Sequence, residues 1–172
     1  DVPLLFESKN DFSFLDYKLK LLDVYNADLK IIAPISVSGG NHNFLLFAIW
    51  ANNRHDLDGQ YIEQVWKAIN HYDQLFNVGQ IILTGDFNSN KIWDKQHKIA
   101  SHSTVVNTLA EKNIHSVYHR HLNQKHGEEN HPTFFFQRKK EKPYHIDYCF
   151  VSSDLYNKVK NIEIGKYENW IT

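Results

Sequence analysis

The run Ile81-Ile82-Leu83-Thr84-Gly85-Asp86-Phe87-Asn88-Ser89-Asn90 constrains this chain more than any other segment. Three consecutive apolar residues suit a short strand buried on both faces, and such a strand needs covering layers above and below it. It then delivers a carboxylate and a carboxamide two residues apart at its carboxyl end, where α/β sheets commonly place ligands. Gly85 lets the backbone turn without a Cβ, so Asp86 and Asn88 can face one point, a metal-bound water or a phosphate. On local grounds alone the same pair equally well closes a turn.

Around this run the pattern alternates strands and helices. Leu29 to Val37 and Phe44 to Trp50 are apolar runs of strand length, and the Ser38-Gly39-Gly40-Asn41-His42-Asn43 between them reads as a hairpin turn. From Tyr61 to Phe76 the residues Ile62, Val65, Trp66, Ile69 and Phe76 recur at helical spacing, with Asp58 ahead of them as a cap. Ser103 to Lys112 is helical by its Val105, Val106, Leu109 and Ala110 stripe. Ile114 to His121, Thr133 to Gln137, His145 to Ser152 and Asn161 to Ile164 read as further strands. No repeat or linker divides the 172 residues, so residues 1–172 are expected to form a single layered α/β domain, with mixed sheets and helices outside them.

A second segment, Tyr144-His145-Ile146-Asp147-Tyr148-Cys149-Phe150-Val151-Ser152, is an aromatic-rich strand that carries one acid. Strand alternation places His145, Asp147 and Cys149 on one face, so that His145 and Asp147 can work side by side. A structural pair on an exposed face satisfies the same spacing.

Together the two segments carry a resemblance. Thr84-Gly85-Asp86-Phe87-Asn88, followed about sixty residues later by His145-Ile146-Asp147-Tyr148, resembles the endonuclease/exonuclease/phosphatase superfamily. Phe47-Ala48-Ile49-Trp50-Ala51-Asn52-Asn53 resembles that family's preceding strand, which ends near the scissile phosphate. The resemblance implies a DNase I-like four-layered α/β sandwich, two mixed β-sheets flanked by helices. It implies that Asp86 orients and deprotonates the attacking water, that Asn88 holds phosphate or metal, and that Asp147 orients a catalytic histidine. His145 stands at the head of that motif. Trp50 falls at the family's tyrosine or histidine position and Asn53 at its asparagine; Trp is only an N–H donor, so Trp50 is read as a stacking or packing group. Mg²⁺ or Mn²⁺ is the implied cofactor, with Asp86 and Asn88 among its ligands. The family's opening Glu-bearing strand and closing Ser-Asp-His motif have no clear counterpart. The chain is therefore expected to be a partial domain, with Glu7 of Asp1-Val2-Pro3-Leu4-Leu5-Phe6-Glu7 the one faint candidate for the missing ligand.

Composition narrows the partners. With 19 basic and 20 acidic residues there is no bulk positive field, so any nucleic-acid contact must be local. Arg138-Lys139-Lys140-Glu141-Lys142 is a candidate grip on a phosphate backbone, and equally a solvated hairpin tip. Phe134-Phe135-Phe136 is read as packing rather than a base-stacking platform. His115, His119, His121, His126 and His131 crowd into seventeen residues; His115, His119 and His121 share a face by period two, but without a fixed ligand motif they are read as facing solvent. The lone Cys149 excludes an internal disulfide, and no run approaches a membrane span. A cytoplasmic monomer is the default. The expected function is metal-dependent phosphoester hydrolysis, most of all nuclease action. Hydrolysis of a lipid or sugar phosphate, a non-catalytic scaffold, and a histidine-based zinc protein are the alternatives.

Overall fold

The computed structural model describes residues 5–6, 11–29, 31–53 and 59–170. Its chain order begins with strands β1 (Leu5–Phe6), β2 (Asp11–Phe14), β3 (Tyr17–Leu21), β4 (Ile32–Gly39) and β5 (His42–Trp50), followed by helix α1 (Ile62–His71) and β6 (Ile81–Asp86). Then come α2 (His102–Glu111), β7 (Ile114–Ser116), α3 (Val117–Leu122), β8 (Phe134–Phe135), β9 (Pro143–Tyr144), β10 (Asp147–Ser152), α4 (Ser153–Tyr156) and α5 (Tyr167–Trp170). Eight strands make one sheet in the order β1-β2-β3-β4-β5-β6-β10-β7, and β8 with β9 forms a second, two-stranded sheet. Only β5 and β6 run parallel within the large sheet, joined through α1; the other neighbours are antiparallel. The predicted mixed sheet flanked by helices is thus present.

The hairpin between β4 and β5 is tighter than its sequence suggests. Gly39 pairs with His42, so only Gly40 and Asn41 turn, and both have positive φ (52° and 66°). Two consecutive left-handed residues match the right-handed twist of the flanking strands, which is why Gly-Asn suits the turn.

Alternation decides which face of the sheet is covered. Leu45, Phe47 and Ile49 of β5, Ile81 and Leu83 of β6, and Tyr148 and Phe150 of β10 are buried, together with Ile62, Val65 and Ile69 of α1 and Val105 and Leu109 of α2. Phe47 stacks on Phe76 with ring centroids 4.6 Å apart. The intervening Leu46, Ala48, Ile82 and Thr84 are only half-buried. The expectation that Ile81–Leu83 is buried on both faces therefore holds fully for one face only.

Several local expectations are corrected. Ile114 to His121 is a three-residue strand followed by α3, because Ser116 accepts a hydrogen bond from the His119 backbone N–H and caps a helix start. Thr133 to Gln137 is extended only over β8 before a tight turn at Phe136–Arg138. Asn161 to Ile164 forms no strand. The helix over Tyr61 to Phe76 ends at His71 and resumes as a tighter turn, Asp73–Asn77. Asp58 lies outside the described residues; Glu63 satisfies the entrance instead, accepting from the Gln60 backbone N–H at 2.8 Å and from Lys98 and Ile99 N–H at 2.9 and 3.1 Å. Among the described residues no helix is long and apolar enough to cross a membrane.

Candidate active site

Three separately predicted residues come to one level of the sheet. Trp50, the last residue of β5, is in register with Asp86, the last of β6, and Asp86 is in register with Asp147, the first of β10. The parallel β5–β6 pair ends where antiparallel β10 begins, so the two acids meet side by side at the ends of two interior strands, both part-buried. Gly85 makes the close approach possible: a Cβ there would lie 2.0 Å from the Ile49 carbonyl oxygen, and its φ of 137° disfavours any side chain.

Beyond the strand the chain is pinned by its apolar residue and exposes its polar ones. Phe87 is fully buried, set edge-on against Tyr148 (5.5 Å, 83°) and packed on Phe150. Asn88 takes the left-handed conformation (φ 45°) that asparagine tolerates. Its backbone N–H donates to Asp86 Oδ1 at 2.7 Å, and its Nδ2 donates to Asp86 Oδ2 at 2.8 Å and to the Ala51 carbonyl at 2.7 Å. Nδ2 is thereby committed, which leaves Oδ1 as the free acceptor.

Burial, joined by the like charge of Asp147, pushes Asp86 up to about 6 against the lowering bond from Asn88. Burial also raises Asp147, while Thr133 opposes it by a side-chain hydrogen bond. Thr133 Oγ1 accepts in turn from the backbone N–H groups of Ile146 and Asp147 at 3.1 and 3.0 Å. Thr133 thus orients Asp147, a role with no sequence signal beyond its place after Pro132.

His145 departs from expectation. β10 starts only at Asp147, so strand alternation does not extend back to His145, and no hydrogen bond joins the pair. His145 is instead buried among the rings of Tyr118, His119 and Tyr148, its Nδ1 donating to the His131 carbonyl at 2.6 Å. Burial lowers its pKa, which favours the neutral ring, and Nε2 has no hydrogen-bond partner.

Trp50 is 68% exposed and Asn53 is exposed as well, whereas the neighbouring Asn52 carries a buried, unpartnered Oδ1. Glu7 lies outside the described residues. Phe134 and Phe136 do not pack inward: they are 39% and 45% exposed. With Asn88, Tyr61, Trp93 and Tyr144 they line a cleft of about 360 Å³, in which Trp93 and Tyr144 stand 5.2 Å apart. The basic segment from Arg138 to Lys142 is a solvent-exposed turn, with Lys140 paired to Glu168.

No protein-family model matches the chain, and no curated protein sequence matches it. The endonuclease domain of TRAS1, a telomere-specific non-LTR retrotransposon, superposes with a TM-score of 0.52 at 17% identity, covering 81% of this chain and 55% of that one. The chain has the DNase I-like fold, shared with that domain. It spans only about half the length of that solved domain. Endonuclease/exonuclease/phosphatase proteins of Beutenbergia cavernae DSM 12333 (TM-score 0.45, 10% identity, 88% of this chain and 38% of that one) and Leptotrichia buccalis C-1013-b (0.42, 16%, 71% and 41%) give weaker superpositions.

Proposed function

We propose that this chain forms the water-activating half of a metal-dependent phosphodiesterase acting on nucleic acid. The observation that carries the reading is the meeting of Asp86 and Asp147 across neighbouring strands, with Asn88 bonded to both oxygens of Asp86. The donor set is all oxygen, two carboxylates and the Asn88 Oδ1, and suits a hard divalent cation such as Mg²⁺ or Mn²⁺. Asp86 and Asn88 would hold that cation, which would supply positive charge against the phosphate oxygens. Asp86 takes the proton of the attacking water; a base near 6 is well matched to neutral pH. Asp147, held by Thr133, fixes the opposite side of the reacting group. In this reading Trp50 and Asn53 border the substrate, and His145 positions the His131–Thr133 loop rather than touching phosphate.

The aromatic cleft beside Asn88 favours nucleic acid over a lipid or sugar phosphate. Exposed Phe134 and Phe136 with Trp93 and Tyr144 offer faces on which bases stack, and Arg138 and Lys139 lie close in sequence to that wall. The test is Mg²⁺-dependent hydrolysis of an abasic or nicked duplex, beside a generic phosphodiester and a phosphoinositide or sugar phosphate. Expected is cleavage of the duplex, abolished in Asp86→Ala and weakened by salt. Hydrolysis of the small phosphates alone would transfer the reading to a phosphatase; no Asp86-dependent hydrolysis of any of them would leave a scaffold.

A further inference from the structure

Of the histidines expected to face solvent, His121 and His131 do, whereas His115 and His126 are part-buried and His119 is buried. His102, His119 and His145 are buried, and with His126, Tyr148 and Glu129 they make one interior cluster behind Asn90. One ring nitrogen of His119, one of His126 and a carboxylate oxygen of Glu129 all lie within 4.8 Å of one another. We infer that His119, His126 and Glu129 bind a late first-row divalent cation, Zn²⁺ in the first instance, at a site separate from that of Asp86.

Two imidazoles and one carboxylate select nitrogen-loving cations such as Zn²⁺ over Mg²⁺. The surroundings are those of a ligand set. His119 Nδ1 is tied to Ser116 Oγ at 2.7 Å, so Nε2 points at Glu129 Oε1, 2.9 Å away. Glu129 is fixed further by Asn90 Nδ2 at 3.1 Å and the Gly127 N–H at 2.9 Å, and its side chain is 4% exposed. An ionised carboxylate so enclosed requires a cation or a proton beside it. Zn²⁺ takes the place of the proton otherwise held between His119 and Glu129.

An independent observation is His102. It is 1% exposed, bonded through Nε2 to His126 Nδ1 at 3.0 Å, and its Nδ1 has no partner. A buried imidazole bonded to a ligand's far nitrogen is the outer support that fixes a metal-bound histidine. The His119 and His126 rings are stacked with centroids 3.4 Å apart, which keeps one nitrogen of each within 4.8 Å of the other and of Glu129. Clefts of about 260 Å³, reaching His119 and His126, and of about 230 Å³, reaching Glu129, give entry. The ion would fasten the segment between α3 and β8 to both α2 and α3, and through Glu129 to Asn90, two residues from Asn88.

The test is zinc content by mass spectrometry after dialysis against Zn²⁺ with Mg²⁺ in excess, on protein first stripped with chelator, together with melting curves. About one zinc per chain and a higher melting temperature are expected for the wild type and for Asp86→Asn, which separates this site from the hydrolytic one. Part-buried His126→Ala should bind about 100-fold more weakly and lose the thermal gain, while exposed His121→Ala retains both. Should His126→Ala not fold, the visible spectrum of Co²⁺-loaded wild type decides, with nitrogen ligation expected. Zinc far below one per chain, equal zinc in His126→Ala, or a Co²⁺ spectrum of all-oxygen ligation would overturn the inference.

Discussion

Two partly enclosed carboxylates in this domain have opposite electrostatic settings. Among the described residues Asp86 is supplied with side-chain hydrogen bonds by Asn88 alone, and it faces a second acid, Asp147; burial and that like charge hold it up at about 6. Burial also raises Glu129, but donors from His119, Asn90 and the Gly127 backbone outweigh that and bring it down to about 2. The type of residue therefore does not set its role; the number of donors converging on it does. A carboxylate with few donors and a like neighbour is poised to take a proton, whereas one fully supplied with donors is an anchor.

The sharpest way to break this contrast is to remove each in turn. Asp86→Ala should cost about 10³-fold in kcat/KM with little change in melting temperature, since it relieves a repulsion. Glu129→Gln should instead cost on the order of 3 kcal/mol of stability in chelator, measured by urea unfolding at pH 7, because its partners lose a buried charge. Glu129's folded pKa lies below its ordinary value of 4.5, so its contribution is full above that value and fades as pH falls toward about 2. The stability gap between wild type and Glu129→Gln must narrow in that window. Equal activity loss and equal destabilisation in both variants would end the distinction.

Next in size is the backbone contact on which Asp86 depends. Gly85→Ala drives a Cβ into the Ile49 carbonyl and should cost about 3 kcal/mol or more in urea unfolding. Gly79 also has positive φ, 76°, but a Cβ added to it would meet nothing within 4 Å; Gly79→Ala should cost only about 1 kcal/mol. Similar losses at both would show that conformation alone, not the β5–β6 approach, holds the site.

The contrast also explains what was legible in sequence. Asp86 and Asp147 lie on adjacent strands, and strand periodicity together with the motif spacing is enough to pick them out of the chain. The row they form with Trp50 is set by register, which period two alone does not give. The Glu129 cluster is assembled from the first residue of α2, the middle of α3 and two loop positions, with no common period. A single strand from Ile114 to His121 would put His119 on an exposed face; the Ser116 cap that turns the chain into α3 buries it instead. Thr133 and Asn90 carry no sequence signal because their work is hydrogen bonding across 14 and 39 residues of sequence. Removing one of these bonds tests the point: Thr133→Val should lower kcat about tenfold with KM nearly unchanged, as expected where a positioning contact rather than substrate binding is lost.

The smallest predicted effect is also the most diagnostic, because it concerns the cause of Asp86's pKa rather than its importance. A base acts in its deprotonated form, so kcat/KM should fall as pH drops through the region near 6, somewhat lower when the divalent cation saturates the site. Burial is the larger cause and Asp147 a lesser one. Asp147→Asn removes the like charge, lowers the Asp86 pKa, and keeps the base ionised to lower pH. The acid limb of the normalised pH profile should therefore move down in Asp147→Asn, even though its absolute rate is reduced. Glu129→Gln, outside the acid pair, should leave that limb in place. A limb that moves equally in both variants would mean that the two carboxylates share one field, and that the anchor and the base are not electrostatically separate.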